Sequence, residues 1–181
     1  RECVRDGLFF QSIVHTGLNP YLSVQLARAR LATGDDKGCL EILRALARVA
    51  SPTWCWPEAI HPRTGGGCMG DGDHGWAAAE FVSLLRDMLV REVPEGLELL
   101  SGAPREWIES HAGIRLSRAT TRCGTLDLAV NSDAGQIVLA WSLERKPHQD
   151  VGTLSVSISD HDGKRQTHIL PSLSGRARLH P

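Results

Sequence analysis

Trp54-Cys55-Trp56-Pro57-Glu58-Ala59-Ile60-His61-Pro62-Arg63-Thr64-Gly65-Gly66-Gly67, continuing Cys68-Met69-Gly70-Asp71-Gly72-Asp73-His74-Gly75-Trp76, is the stretch on which the reading of this chain turns. It joins two helical segments through a loop of roughly 20 residues, and loops that long inside a compact domain are as a rule functional or disordered. Trp54, Trp56 and Trp76 bracket it, which argues for order. Aromatic faces suit the apolar C–H faces of a pyranose ring. Glu58, Asp71 and Asp73 supply carboxylates for hydroxyls or protons. Five glycines lie between Gly65 and Gly72, where they let the backbone turn sharply and approach a ligand.

Other readings of the same residues are bland. Gly65-Gly66-Gly67 also suits a flexible surface loop, and Asp73 suits the N-cap of the helix that follows. The Gly-Lys-Ser/Thr of a phosphate-binding loop is absent. His61 and His74 are single imidazoles, which are more often structural than ligating. No metal site and no cofactor is expected, because the five cysteines (Cys3, Cys39, Cys55, Cys68, Cys123) show no zinc spacing. They read as buried thiols of a reducing compartment, which slightly favours a cytoplasmic setting.

Outward from that stretch, the first half has helical texture. Asn19-Pro20 is a helix start, with Asn as N-cap and Pro at the first helical position, and the helix should run to about Thr33. Asp35 or Asp36 caps a second helix to about Ala50, with Cys39, Ile42, Leu43, Leu46 and Ala50 as its apolar stripe. The two should form an antiparallel hairpin. A third helix runs from His74 or Gly75 to about Arg91. Gln11, His15 and Asn19 fall four apart and would share a face if that segment is helical, which makes Gln11 and His15 candidate pocket residues.

Beyond Pro94 the pattern changes to short alternating runs. Strands are expected at Ile114 to Ser117, Thr125 to Val130, Gln136 to Leu143, Gly152 to Ser159 and Gln166 to Leu170. This divides the chain into a helical segment, 1–93, carrying the site, and a β-rich domain, 94–181. A tetratricopeptide-like unit over Ala27 to Ala50 has no second copy at the required period.

The totals exclude several classes. With 181 residues, 41% hydrophobic, 23% charged and a formal net charge of -1, nothing marks a nucleic-acid or membrane partner. No apolar run approaches the roughly 20 residues of a bilayer span. Because the chain begins at Arg1 with no signal pattern, it reads as a piece of a longer protein.

The segment Trp56 to Gly67, followed by Gly70 to Trp76, resembles the last hairpin of the (α/α)₆-barrel, or six-hairpin, glycoside hydrolases, among them processing α-glucosidase I, trehalase and mannosylglycerate hydrolase. That resemblance implies an α+β chain made of the C-terminal hairpins of an (α/α)₆ toroid followed by a small antiparallel β-sandwich-like tail. It implies an inverting hydrolase acting on an oligosaccharide or glycoside, with Glu58 as general base. Trp56, Trp76, His74 and Asp71 would line the sugar subsite, with Gln11 and His15 beside them. In such enzymes a general acid faces the base at about 6.5–9.5 Å, and the resemblance puts it upstream, in the remainder of the same barrel. The fragment alone would then be inactive. Where the relatives carry Asn-Tyr after the Glu, this chain has Ala59-Ile60. The alternatives are a non-catalytic carbohydrate-binding or structural helical toroid, and a helical protein-interaction module.

Overall fold

The computed structural model describes residues 3–13, 16–159 and 164–179. The chain divides into two compact units, residues 1–87 and 88–181.

Unit 1 is built on a helical hairpin. Helix α1 (Pro20–Ala32) starts where Asn19 Oδ1 accepts the Leu22 N–H at 3.0 Å. Helix α2 (Asp36–Arg48) starts where Asp35 accepts the Gly38 N–H at 2.9 Å. Both caps satisfy donors that a helix start leaves without partners. Val24, Ala27 and Leu31 of α1, and Cys39, Ile42, Leu43 and Leu46 of α2, are buried. Helix α3 (Gly75–Leu89) joins α1 through Arg28, whose guanidinium meets Asp87 at 2.7 Å and Glu80 at 3.4 Å.

Against this helical part lies a small five-stranded sheet, order β1-β2-β3-β4-β5. Its strands are β1 (Val4–Arg5), β2 (Leu8–Gln11), β3 (Gly17–Leu18), β4 (Ala59–Ile60) and β5 (Gly67–Met69), paired antiparallel throughout. Gln11 is therefore in a strand, not on a helical face with Asn19. The apolar run at Leu8 to Phe10 pairs as an inner strand because Asp6 and Gly7, both at positive φ, turn β1 directly into β2, while β3 pairs on its other side.

Unit 2 holds two four-stranded sheets around one apolar core. The first, order β13-β10-β9-β8, is antiparallel and formed by β8 (Ile114–Thr120), β9 (Gly124–Asp133), β10 (Gln136–Arg145) and β13 (Ser174–Leu179). The second, order β12-β11-β7-β6, is mixed. It comprises β6 (Val90–Val93), β7 (Gly96–Leu99), β11 (Thr153–Ser159) and β12 (Arg165–Ile169), with β7 and β11 parallel. A short helix α4 (Arg105–Ile108) lies between β7 and β8 in sequence. Leu126, Leu128 and Val130 alternate inward from β9, and Ile137, Leu139, Trp141 and Leu143 answer them from β10. One outward carboxylate is also buried: Glu98 on β7 accepts from Arg91 on β6 and from Ser157 Oγ on β11 at 2.6 Å.

The (α/α)₆ toroid implied by the resemblance is not what the chain builds. Among the described residues there are four helices and three sheets, and the protein is a β-rich α+β molecule. The expected third helix also stops short of Arg91, because Val90 to Val93 pairs with Gly96 to Leu99 as a hairpin. No helix of the described residues is long and apolar enough to cross a membrane.

Candidate functional site

The loop from Ser51 to His74 is ordered by its own polar groups. Ser51 Oγ accepts the Cys55 N–H at 3.0 Å, and the Trp54 N–H donates to the Ser51 carbonyl at 2.9 Å. That tight turn places Trp54 at φ 58° and leaves its ring 55% exposed. His61 organises the tip of the β4–β5 hairpin: its Nδ1 accepts the Arg63 and Thr64 N–H groups at 3.3 and 3.2 Å. At the far end the His74 N–H donates to the Trp56 carbonyl at 2.8 Å, closing the loop onto the start of α3.

Two features result. The first is a cleft of about 500 Å³ lined by Val49 to Ser51 from the end of α2, by Cys55, Pro57 and Ile60, and by the glycine-rich strand with Asp71. Glycine is needed where that strand crosses residues 57 and 58. A Cβ on Gly67 would sit 3.0 Å from the Pro57 ring, and one on Gly70 would sit 3.3 Å from the Glu58 nitrogen at φ 76°. The second is an aromatic platform. Tyr21 stacks on Trp76 with ring centroids 4.6 Å apart and planes 20° from parallel. His74 closes the group, 5.5 Å from Tyr21 and 6.3 Å from Trp76. Trp76 is 54% exposed, so with one face on Tyr21 much of the rest of the indole is open to solvent.

The structure separates the residues singled out from sequence. Trp76 and His74 sit together in the platform, and Asp71 lines the cleft, its Oδ1 also accepting the Asp73 N–H at 3.1 Å. Trp56 goes elsewhere. It is 1% exposed, packs 4.9 Å from Phe81, and donates its indole N–H to the Leu46 carbonyl at 3.0 Å. Its role is in the core. Glu58 is half-buried just before β4 and is not among the residues lining the cleft. Gln11 Oε1 accepts from Asn19 Nδ2 at 3.4 Å, bracing the cap of α1. His15 lies outside the described residues. Cys55 and Cys68, which flank the loop, are free thiols.

Two site residues are not singled out as candidates by the sequence alone. Tyr21, the chain's single tyrosine, follows the Asn19-Pro20 helix start and so projects from the first turn of α1. Glu80, one turn along α3, accepts the Trp76 indole N–H at 3.4 Å while meeting Arg28. The spacing of Trp76 and Glu80 is the i, i+4 relation of a helix face, which is the signal that pairs them. One polar atom is left over: His74 Nδ1 is shielded from solvent and has no hydrogen-bond partner among the described residues. No protein-family model, no curated protein and no solved structure matches this chain.

Proposed function

We propose that unit 1 is a carbohydrate-binding module that holds a pyranose ring on the open face of Trp76. The observation that carries this reading is the exposed Tyr21–Trp76 stack. A large exposed aromatic costs solvation unless something covers it, and here the ring is not loose. Tyr21 supports it from below and Glu80 takes its N–H. A rigid aromatic fixed by its neighbours binds with little loss of conformational freedom.

Other groups of the same loop suit a sugar as well. His74 borders the platform, its ring 6.3 Å from Trp76 and 5.5 Å from Tyr21. Asp71, a few residues along the same loop, offers a carboxylate of the kind that accepts from sugar hydroxyls. The cleft volume of about 500 Å³ is of the size that holds small ligands.

Retention of a glycan, rather than its cleavage, is the role this geometry supports. Inverting hydrolysis needs two carboxyl groups about 6.5–9.5 Å apart across the bond. Glu58 does not line the cleft, and the acid that would answer it belongs to the toroid that is not built.

The test is titration of the protein with neutral oligosaccharides of different backbone linkage, followed by tryptophan fluorescence and calorimetry. Binding of at least one, weakened tenfold or more by Trp76→Ala and by Tyr21→Ala with unchanged thermal unfolding, supports the reading. Equal binding by wild type and Trp76→Ala sinks it.

A further inference from the structure

The antiparallel sheet of unit 2 carries an unusual row on its outer face. Arg115 on β8 is directly opposite Ala129 on β9, Ala129 is opposite Ala140 on β10, and Ala140 is opposite Arg176 on β13. The register thus sets two arginines at the ends of a two-alanine floor. Three interstrand gaps of about 4.8 Å separate their Cα atoms by about 14 Å.

Two hollows of about 160 and 240 Å³ open on this face, and both are lined by Arg115, Ala129 and Ala140. The next row is Asn131 opposite Val138 opposite Arg178. Arg178 is neutralised by Asp133 at 3.0 Å. On the other side Asp127 accepts the Arg118 N–H at 3.0 Å within the bulge of β8. Arg115 and Arg176 are exposed, and their guanidinium groups make no ion pair or hydrogen bond among the described residues.

Alanine is a poor strand residue. On two central strands it forgoes the cross-strand packing that β-branched or aromatic side chains would contribute. What it leaves is a flat apolar floor with a cationic fork at each end. The backbone of β9 and β10 is paired on both sides, so a ligand here gains no main-chain hydrogen bonds. An extended peptide, which binds sheets by main-chain pairing at an edge, is a poor match. A ligand that lays C–H faces on the apolar floor and presents carboxylates toward both ends is a good one.

We infer that the Arg115–Ala129–Ala140–Arg176 row is a second binding site, for an acidic oligosaccharide whose uronate carboxylates are clamped by the two guanidinium groups. Sugar rings lie on the alanine methyls, and each arginine takes one carboxylate through its two parallel N–H donors. The site belongs to unit 2 and stands independently of the aromatic platform.

The probe is tetragalacturonate, titrated calorimetrically into the whole chain carrying Trp76→Ala, which removes the pyranose platform of unit 1, with its fully methyl-esterified form and a tetraglutamate peptide as comparisons. The acid form binds, and the ester does not. Arg115→Gln and Arg176→Gln each weaken binding at least fivefold, the double variant abolishes it, and Arg115→Lys restores part of it. Ala140→Leu, which raises the floor without touching charge, also abolishes it. Added salt weakens binding through screening of the exposed pairs. The inference is overturned if the Trp76→Ala protein fails to bind tetragalacturonate, if the ester binds it equally, or if the arginine variants or Ala140→Leu in that background bind like it. It is equally overturned if tetraglutamate binds with the same arginine dependence while tetragalacturonate does not.

Discussion

The indole N–H of Trp56 donates to the carbonyl of Leu46 at 3.0 Å in the interior of unit 1. The same carbonyl accepts the Val49 N–H at 3.2 Å, so one oxygen ends helix α2 and anchors the loop that follows. Trp56→Phe removes one of those bonds and part of a buried ring. It should cost about 1–2 kcal/mol, of which the hydrogen bond is about 1. Trp56→Ala should cost about 3–5 kcal/mol through the cavity it leaves. Urea unfolding measures both. A cost for Trp56→Ala below that of Trp56→Phe would remove the residue from the core.

Glu98 gives unit 2 an acid sensitivity. Burial by itself would raise its carboxyl above the usual value, but the hydrogen bonds from Ser157 and Arg91 and the charges of Arg91 and Arg165 outweigh it and hold the group below 4.5. A depressed folded-state value means the ionised form is bound more tightly in the fold than in the unfolded chain. The stability it contributes is therefore complete above about 4.5 and is lost as pH falls through the lower folded value. Glu98→Gln leaves Arg91 without its carboxylate and should cost about 1–3 kcal/mol at neutral pH. Thermal unfolding of the two proteins should converge in acid; a constant gap across that range would count against the assignment.

Four of the five cysteines should react in two classes, with half-buried Cys55 between them. Burial, reinforced by the charges of Asp36 and Asp35, pushes the Cys39 thiol up to about 12, so it stays protonated. Cys3 and Cys68 are exposed, and Cys123 is buried. Alkylation of the native protein near neutral pH, mapped by mass spectrometry, should mark Cys3 and Cys68 and spare Cys39 and Cys123. Cys39 modified as fast as Cys68 would contradict its burial. Because its folded value lies above 9.0, the thiol favours the fold below that pH, and this contribution fades as pH rises toward 12.

Two glycines with similar backbone angles should respond differently to alanine. Gly34 ends α1 at φ 84° with nothing within 4 Å of a Cβ position, so Gly34→Ala should cost only about 1 kcal/mol of backbone strain. Gly152, at φ 64°, lies against the Glu95 carbonyl, which a Cβ would strike. Gly152→Ala must displace the entry to the parallel β7–β11 pair and should cost about 2–4 kcal/mol, strain and collision together. Equal losses in denaturant titration would mean that crowding is not the difference.

Legibility in the sequence followed the range of the signal. Asn19-Pro20 and Asp35 announce their helices because caps act over three residues, and both helices start where those residues place them. Leu126, Leu128 and Val130 announce β9 by alternation. The small sheet was invisible: β1, β3 and β4 are two residues each, too short for any period, and exist only because β2 and β5 lie beside them. The resemblance to the toroid rests on a local motif, Trp56 to Trp76, which does not dictate the arrangement of the rest of the chain. In the site, Trp56 and Trp76 look alike in sequence. Burial separates them because the Trp56 indole folds back to Leu46 while Trp76 follows the outer face of α3. The Arg115–Arg176 row could not be read at all, since it depends on the register of three pairings.

The parallel pair at the heart of unit 2 also sets an order of assembly. Ser155 and Ser157 of β11 meet Leu97 and Glu98 of β7 across separations of 58 and 59 residues. The whole β8–β9–β10 meander lies between those partners, and its hairpins can close locally. Loop-closure entropy must be met before such a distant pairing gains anything, and topologies dominated by distant pairings fold slowly. The meander is thus the natural nucleus, and the mixed sheet, with its Glu98 charge network, is the last part of the unit to lock.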